Sequence, residues 1–155
     1  MSDTDLVKLY SGRILALAAD IPHLGHLTSP DGSAKKRSPL CGSTVTVEVA
    51  LKDGKVAGFA QDVRACALGQ ASAAVLGEVA IGRTRAELEA ARSALSVMLK
   101  EGGPVPAAPF AGYEVLLPAR GYKNRHASIL LVLDAICEAV AVAEAKSGAQ
   151  SAAKT

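Results

Sequence analysis

Residues 44–51 alternate without a break, Val45, Val47, Val49 and Leu51 falling on one face and Thr44, Thr46 and Glu48 on the other. Side chains in a strand point to opposite faces at period two, so this stretch predicts a half-buried β-strand. Lys52-Asp53-Gly54-Lys55 follows, with Asp-Gly able to take the positive φ angles of a two-residue hairpin turn, and residues 56–64 predict the returning strand. A hairpin with one greasy face cannot stand alone in water, and the rest of the chain must cover it.

The segments around the hairpin carry a different period. Leu6, Tyr10, Ile14, Leu17 and Ile21 recur every three or four positions, predicting a helix over residues 3–20 that Pro22 and Gly25 stop. Ser29-Pro30-Asp31-Gly32 is a turn, and Lys35-Lys36-Arg37 reads as an exposed edge strand. Beyond the hairpin, Leu68, Ala71, Ser72, Val75, Leu76 and Val79 form one helical stripe over residues 67–81, ended by Gly82. Thr84 and Glu87 have capping-box spacing, and Leu88, Ala91, Leu95 and Leu99 carry a further helix to Gly102-Gly103. Pro104, Pro106 and Pro109 make residues 102–111 a loop, followed by a short helical turn at 113–117 before Pro118. Asn124 is placed to cap a last helix with the stripe Leu130, Leu133, Ile136, Cys137, Val140 and Ala141. The expected fold class is α+β, a small antiparallel three-stranded sheet with helices packed on one face. Residues 1–146 are expected to form one domain and residues 147–155 a flexible C-terminal tail.

Composition narrows the function. Seventeen Lys and Arg against fifteen Asp and Glu leave +2, too little for the broad field on which non-specific nucleic-acid binding depends. Five aromatic residues, none of them Trp, give few platforms for stacking bases, so no nucleic-acid partner is expected. Asp134, Glu138 and Glu144 interrupt the apolar run 127–145, and no membrane span is expected. Three Cys is an odd number, and Asp3 and Asp5 sit where the basic start of a signal peptide would be, which points to reduced thiols in the cytoplasm.

The chemistry-bearing residues are few. Cys41, between Pro39 and Gly42, enters the first strand of the hairpin, and Cys66 follows the second. Antiparallel pairing therefore brings the two to the same end of the sheet although 25 positions separate them (66 minus 41). Cys66 also sits as a helix N-cap, where the helix dipole, with Arg64 close by, favours thiolate, the form that binds metal or attacks sulfur. His126 stands in the first turn of the last helix beside Arg125 and Lys123 and is a third candidate ligand. Taken singly, a free Cys is more often a small buried hydrophobe and a helix-start His a surface residue. Cys137 lies 11 residues beyond His126, about 16 Å along a helix, and reads as core. His23 and His26 read as solvated loop residues.

Three blocks taken together, Ser38-Pro39-Leu40-Cys41-Gly42-Ser43, Arg64-Ala65-Cys66-Ala67-Leu68-Gly69-Gln70-Ala71-Ser72 and Arg125-His126-Ala127-Ser128-Ile129-Leu130, resemble the IscU/SufU/NifU-N-terminal family of iron–sulfur cluster assembly scaffolds. The resemblance runs from about Leu6 to Val140 and includes Ile21-Pro22-His23-Leu24-Gly25. It implies three loops converging on one site for zinc or a nascent [2Fe–2S] cluster, sulfur delivered by a cysteine desulfurase, and transfer of clusters to apo iron–sulfur proteins. Cys41 and Cys66 match two ligand cysteines of the family, and His126 a ligand-capable neighbour.

Two positions depart from the pattern. Ser43 stands where the family has Asp, a neutral hydroxyl and a poor fourth metal donor, and Ala127 stands where a third cysteine is expected. Two Cys and one His suit a tetrahedral zinc site with an open position, whereas a cluster on one chain wants four ligands. A cluster would then take an outside thiol, a partner protein or a second subunit, which leaves homo-oligomerisation open. Three expectations follow: a scaffold carrying zinc or a labile cluster, a SufU-like sulfur acceptor working through Cys41 or Cys66, or a ligand-poor relative acting through protein contacts alone.

Overall fold

A computed structural model of the chain describes residues 11–39 and 42–153, with side chains through residue 147. Cys41 and residues 3–10 of the first expected helix lie outside the described residues. In chain order the elements are α1 (Gly12–Ala19), β1 (Gly32–Arg37), β2 (Thr44–Lys52), β3 (Lys55–Arg64), α2 (Ala67–Val79), α3 (Arg85–Lys100), a 3₁₀ segment (Phe110–Gly121) and α4 (Lys123–Ala153).

The strands form an antiparallel sheet of order β1-β2-β3. Asp53 and Gly54 turn the hairpin at φ 54° and 77°, the left-handed values that the Asp-Gly pair was expected to supply. Val45, Val47 and Val49 are buried as the alternation requires. The edge strand is longer than the basic triplet, because Ser29-Pro30-Asp31 ends one residue earlier and β1 pairs with β2 from Gly32↔Val49 to Arg37↔Thr44. The opposite edge, on β3, is covered by the loop after α1: the amide of Gln61 donates to His23 O at 2.9 Å, and the amide of Gly25 donates to Gln61 O at 3.0 Å.

α4 lies across the inner face of β1 and β2, with α2 and α3 packed on its other side. It is buried almost all round: Ile129, Leu130, Leu131, Val132 and Leu133 are all in the core, so the expected single stripe describes only part of its buried surface. Residues 123–147 are long and apolar enough to cross a membrane, but 67% of the most apolar window is buried inside the protein, as a central core helix requires. Gly32 lets β1 approach this helix closely, since a Cβ there would lie 2.2 Å from Ala139 O.

The short turn expected at 113–117 is instead a 3₁₀ segment twelve residues long, with Pro118 inside it. Tyr113 anchors that segment to α2, its buried hydroxyl donating to Ser72 O at 3.0 Å, and burial raises its phenol above the ordinary range. Cys137 is partly buried against the core, where burial, together with the charges of Glu89 and Asp134, pushes its thiol up to about 11 and leaves it unreactive near neutral pH. His23 and His26 are exposed, although His26 is not free of carboxylate company, since its Nδ1 lies 3.3 Å from Glu48 Oε2.

α3 opens with the expected capping box. Thr84 Oγ1 accepts from the Glu87 amide at 3.2 Å, and Glu87 Oε1 accepts from the Thr84 amide at 3.1 Å. The Thr84 N–H, and after it the Arg83 guanidinium, hold the Glu87 carboxyl below its ordinary range. Replacing Thr84 by Ala should cost about 1 kcal/mol at neutral pH. A carboxylate depressed in the folded state stabilises above its unfolded value and loses that contribution as pH falls through the folded one. The deficit of Glu87→Gln, which keeps a side-chain acceptor for the Thr84 amide but removes the charge, read by urea denaturation, should therefore shrink as the solution is taken below pH about 4, the unfolded carboxylate range.

Candidate functional site

Hairpin register builds one end of the site. Thr44 pairs with Arg64, so the chain enters β2 beside the point where it leaves β3, and Ser43 and Cys66 flank that pair. The loop before β2 is closed by the backbone: the Ser38 amide donates to Ser43 O at 2.8 Å and the Gly42 amide to Ser38 O at 2.9 Å. Cys41, carried by that loop, is outside the described residues.

Cys66 is the N-cap of α2, with extended backbone (φ −66°, ψ 170°) and its carbonyl accepting from the Gln70 amide at 2.9 Å. Its side chain does not cap the helix; Sγ lies instead 3.5 Å from Ser128 Oγ on α4. Ser128 Oγ in turn lies 3.0 Å from Ser43 Oγ, so the start of β2, the start of α2 and the second turn of α4 meet at three side chains. Both serines are buried, while Cys66 keeps some exposure. Gly69 makes the approach possible, because a Cβ there would stand 2.8 Å from Ser128 Oγ.

His126 is not part of this meeting. Two residues before Ser128 on the same helix, it points about 200° around the axis from it. Its ring is 3% exposed, and Nε2 lies 2.9 Å from Ala119 O in the 3₁₀ segment. The imidazole expected as a third ligand beside the cysteines is thus buried against the 3₁₀ segment, and Ser128 is in contact with Cys66 instead. Nothing in the sequence distinguishes Ser128 in advance, since a serine in an apolar helix stretch is commonplace; only the way α4 rolls onto the sheet selects it.

Among the described residues there is no group of three or more His, Cys, Asp or Glu placed to hold a metal ion. The groups in contact with Cys66 Sγ and its neighbour are hydroxyls, hard donors with little affinity for zinc or iron beside thiolate. Within this cluster Cys66 supplies a single soft ligand, too few by itself to hold a metal ion.

The fold has a solved counterpart. Over 92% of its length the chain is similar to the crystal structure of a nitrogen-fixing NifU-like protein (N-terminal) from Brucella abortus, at 46% identity, TM-score 0.88 and 99% coverage of that chain. The chain belongs to the NifU-like N-terminal family. Two further structures share the fold at lower identity: a candidate iron–sulfur cluster assembly scaffold of the SUF system from Fervidobacterium islandicum AW-1 (20% identity, TM-score 0.76, 86% of this chain and 98% of that one) and a hypothetical protein solved at 2.3 Å (22%, 0.76, 86% and 98%). No protein-family model matches the sequence, and no curated protein sequence matches it. Within this NifU-like fold the resemblance drawn from the three sequence blocks holds at the level of family and α+β architecture.

Proposed function

We propose that the chain serves iron–sulfur cluster assembly as a scaffold, holding a labile [2Fe–2S] cluster or zinc as cargo through Cys41 and Cys66. The similarity to a NifU-like N-terminal protein across 92% of the chain carries this reading. The placement of Cys66 at a helix N-cap, where three elements meet, supports it. Residual exposure of Cys66 leaves its sulfur open to a partner. With His126 turned toward Ala119 and away from Cys66, the remaining positions would be filled by a thiol of a partner, a cysteine desulfurase on the donor side or an apo iron–sulfur protein on the acceptor side. A reducing compartment such as the cytoplasm suits a site that works through free thiols.

The shortage of soft donors favours a second reading, in which Cys66 accepts sulfur without building a cluster. Its thiolate would attack the outer sulfur of a desulfurase persulfide, forming a new S–S bond while the desulfurase cysteine leaves as thiolate. The two readings separate in one pair of measurements. Anaerobic reconstitution with iron and sulfide should give about two irons and two sulfides per cluster with visible absorption if the scaffold reading holds. A persulfide on Cys66 in mass spectrometry after incubation with desulfurase and cysteine, without any such absorption, would favour the acceptor reading instead. Absence of both would reject the two together.

A further inference from the structure

The free amides at a helix N-terminus draw an acceptor at the N-cap back onto the first turn. Cys66 does not follow, since its side chain makes no capping bond and Sγ lies 3.5 Å from Ser128 Oγ of α4, within the longer reach of a sulfur partner. A group outside α2 therefore holds the sulfur away from the place its own helix favours. Ser128 is 1% exposed, and the partners of its hydroxyl among the described residues are Cys66 Sγ and, at 3.0 Å, Ser43 Oγ. A buried hydroxyl without a partner is costly, so Ser128 is bound to keep these two. Gly69 makes room for it, because a Cβ there would stand 2.8 Å from Ser128 Oγ and 3.2 Å from Ser128 O. His126, two residues back, faces Ala119 and gives the sulfur no support.

Proton counting fixes the direction of these contacts. A serine hydroxyl has one proton to give, and a thiolate only accepts. With the sulfur in its attacking form, Ser128 donates to Sγ and is left to accept from Ser43, which donates to it. The thiolate thus orders both hydroxyls into one chain that runs from Ser43 through Ser128 to Cys66.

We propose that Ser128 is a positioning residue for the Cys66 sulfur: its hydroxyl holds Sγ in a single rotamer off the helix cap, and Ser43 orients that hydroxyl from behind. The role rests on the reading of Cys66 as a sulfur acceptor. In that reaction the Cys66 thiolate has to meet the outer sulfur of a desulfurase persulfide in line with the S–S bond that breaks, a new S–S bond forming as the desulfurase cysteine leaves as thiolate. Small misplacements of reacting atoms are expensive in rate, and a sulfur free to swing back onto the first turn of α2 spends less time in line.

Two measurements on the full chain test this. NMR couplings between the Cα and Cβ hydrogens of Cys66, taken on the reduced, metal-free chain, report the rotamer with no partner present. One staggered rotamer is expected in the parent and its loss in Ser128→Ala. Ser43→Ala should fall between the two, and Ser43→Ala/Ser128→Ala should match Ser128→Ala, because Ser43 acts through Ser128. In single turnovers with a cysteine desulfurase and cysteine, the persulfide on Cys66 should form about tenfold more slowly in Ser128→Ala at saturating desulfurase, with the half-saturating concentration unchanged. Couplings unchanged in Ser128→Ala, or already averaged in the parent, overturn the proposal. So does a change of couplings that comes only with a general displacement of the α2 and α4 signals, which would make the hydroxyl a packing element. Couplings as expected, with no persulfide on the parent, would uphold the positioning of the sulfur and reject the acceptor reading alone.

Discussion

Replacing Cys66 by Ser is expected to remove cargo binding altogether, with iron and sulfide per chain after anaerobic reconstitution falling to background. Removing a group that merely orients a ligand costs about 10–100-fold in metal affinity, and removing a sulfur ligand should cost at least as much. The case is sharper here than in a site with spare ligands, because the side chains around Cys66 Sγ are the hydroxyls of Ser128 and, behind it, Ser43. Neither can take over from the lost thiolate. Ser differs from Cys by one atom, and the helix cap uses the Cys66 backbone and not its side chain, so α2 should start unchanged. Thermal unfolding within a few degrees of the parent would show that the loss is local. Undiminished loading in a folded Cys66→Ser chain would mean that the cargo sits elsewhere.

Gly32→Val is expected to be the most damaging single change to the fold. A Cβ at this position would lie 2.2 Å from Ala139 O, 2.7 Å from Ala143 N and 2.9 Å from Ala143 Cβ, and the first two are backbone atoms of α4. Flexible side chains can step aside from such contacts; the rail of a core helix cannot. Overpacking a core costs typically about 1–3 kcal/mol, and with backbone as the obstacle a loss of about 3 kcal/mol or more is expected, read as a fall in the urea midpoint. Because α4 also carries Ser128 to Cys66, any shift of the helix that relieved the clash would disturb the site as well. A midpoint within experimental error of the parent would show that β1 can move away from α4 freely.

Sequence reading succeeded wherever the deciding interaction was local. The hairpin rests on an alternation and an Asp-Gly turn within twenty residues, and the α3 capping box on two side chains three residues apart. The place of Cys66 followed from those local facts, since an antiparallel pair puts the start of one strand beside the end of the next. The readings that needed correction involved contacts between distant segments. His126 was expected near the cysteines because its block matched the family, but its side chain packs toward Ala119, and Ser128 occupies the contact. His26 is the exposed loop residue it was read as, but the loop after α1 also sets it beside Glu48 of β2. The stripe expected for α4 captured one face of a helix that is covered on nearly all of them.

The order of residues thus settled what each segment is and at which end of the sheet Cys66 stands, because periodicity, turn stereochemistry and strand pairing act over a few bonds. The rotation of α4 about its own axis was decided only in three dimensions. That rotation turns Ser128 toward Cys66 and His126 toward Ala119, and it follows from how the sheet on one side and α2 and α3 on the other share a helix that is apolar nearly all round. A helix with hydrophobic residues on every face carries no mark of which face meets which neighbour; close packing against all of them at once makes the choice.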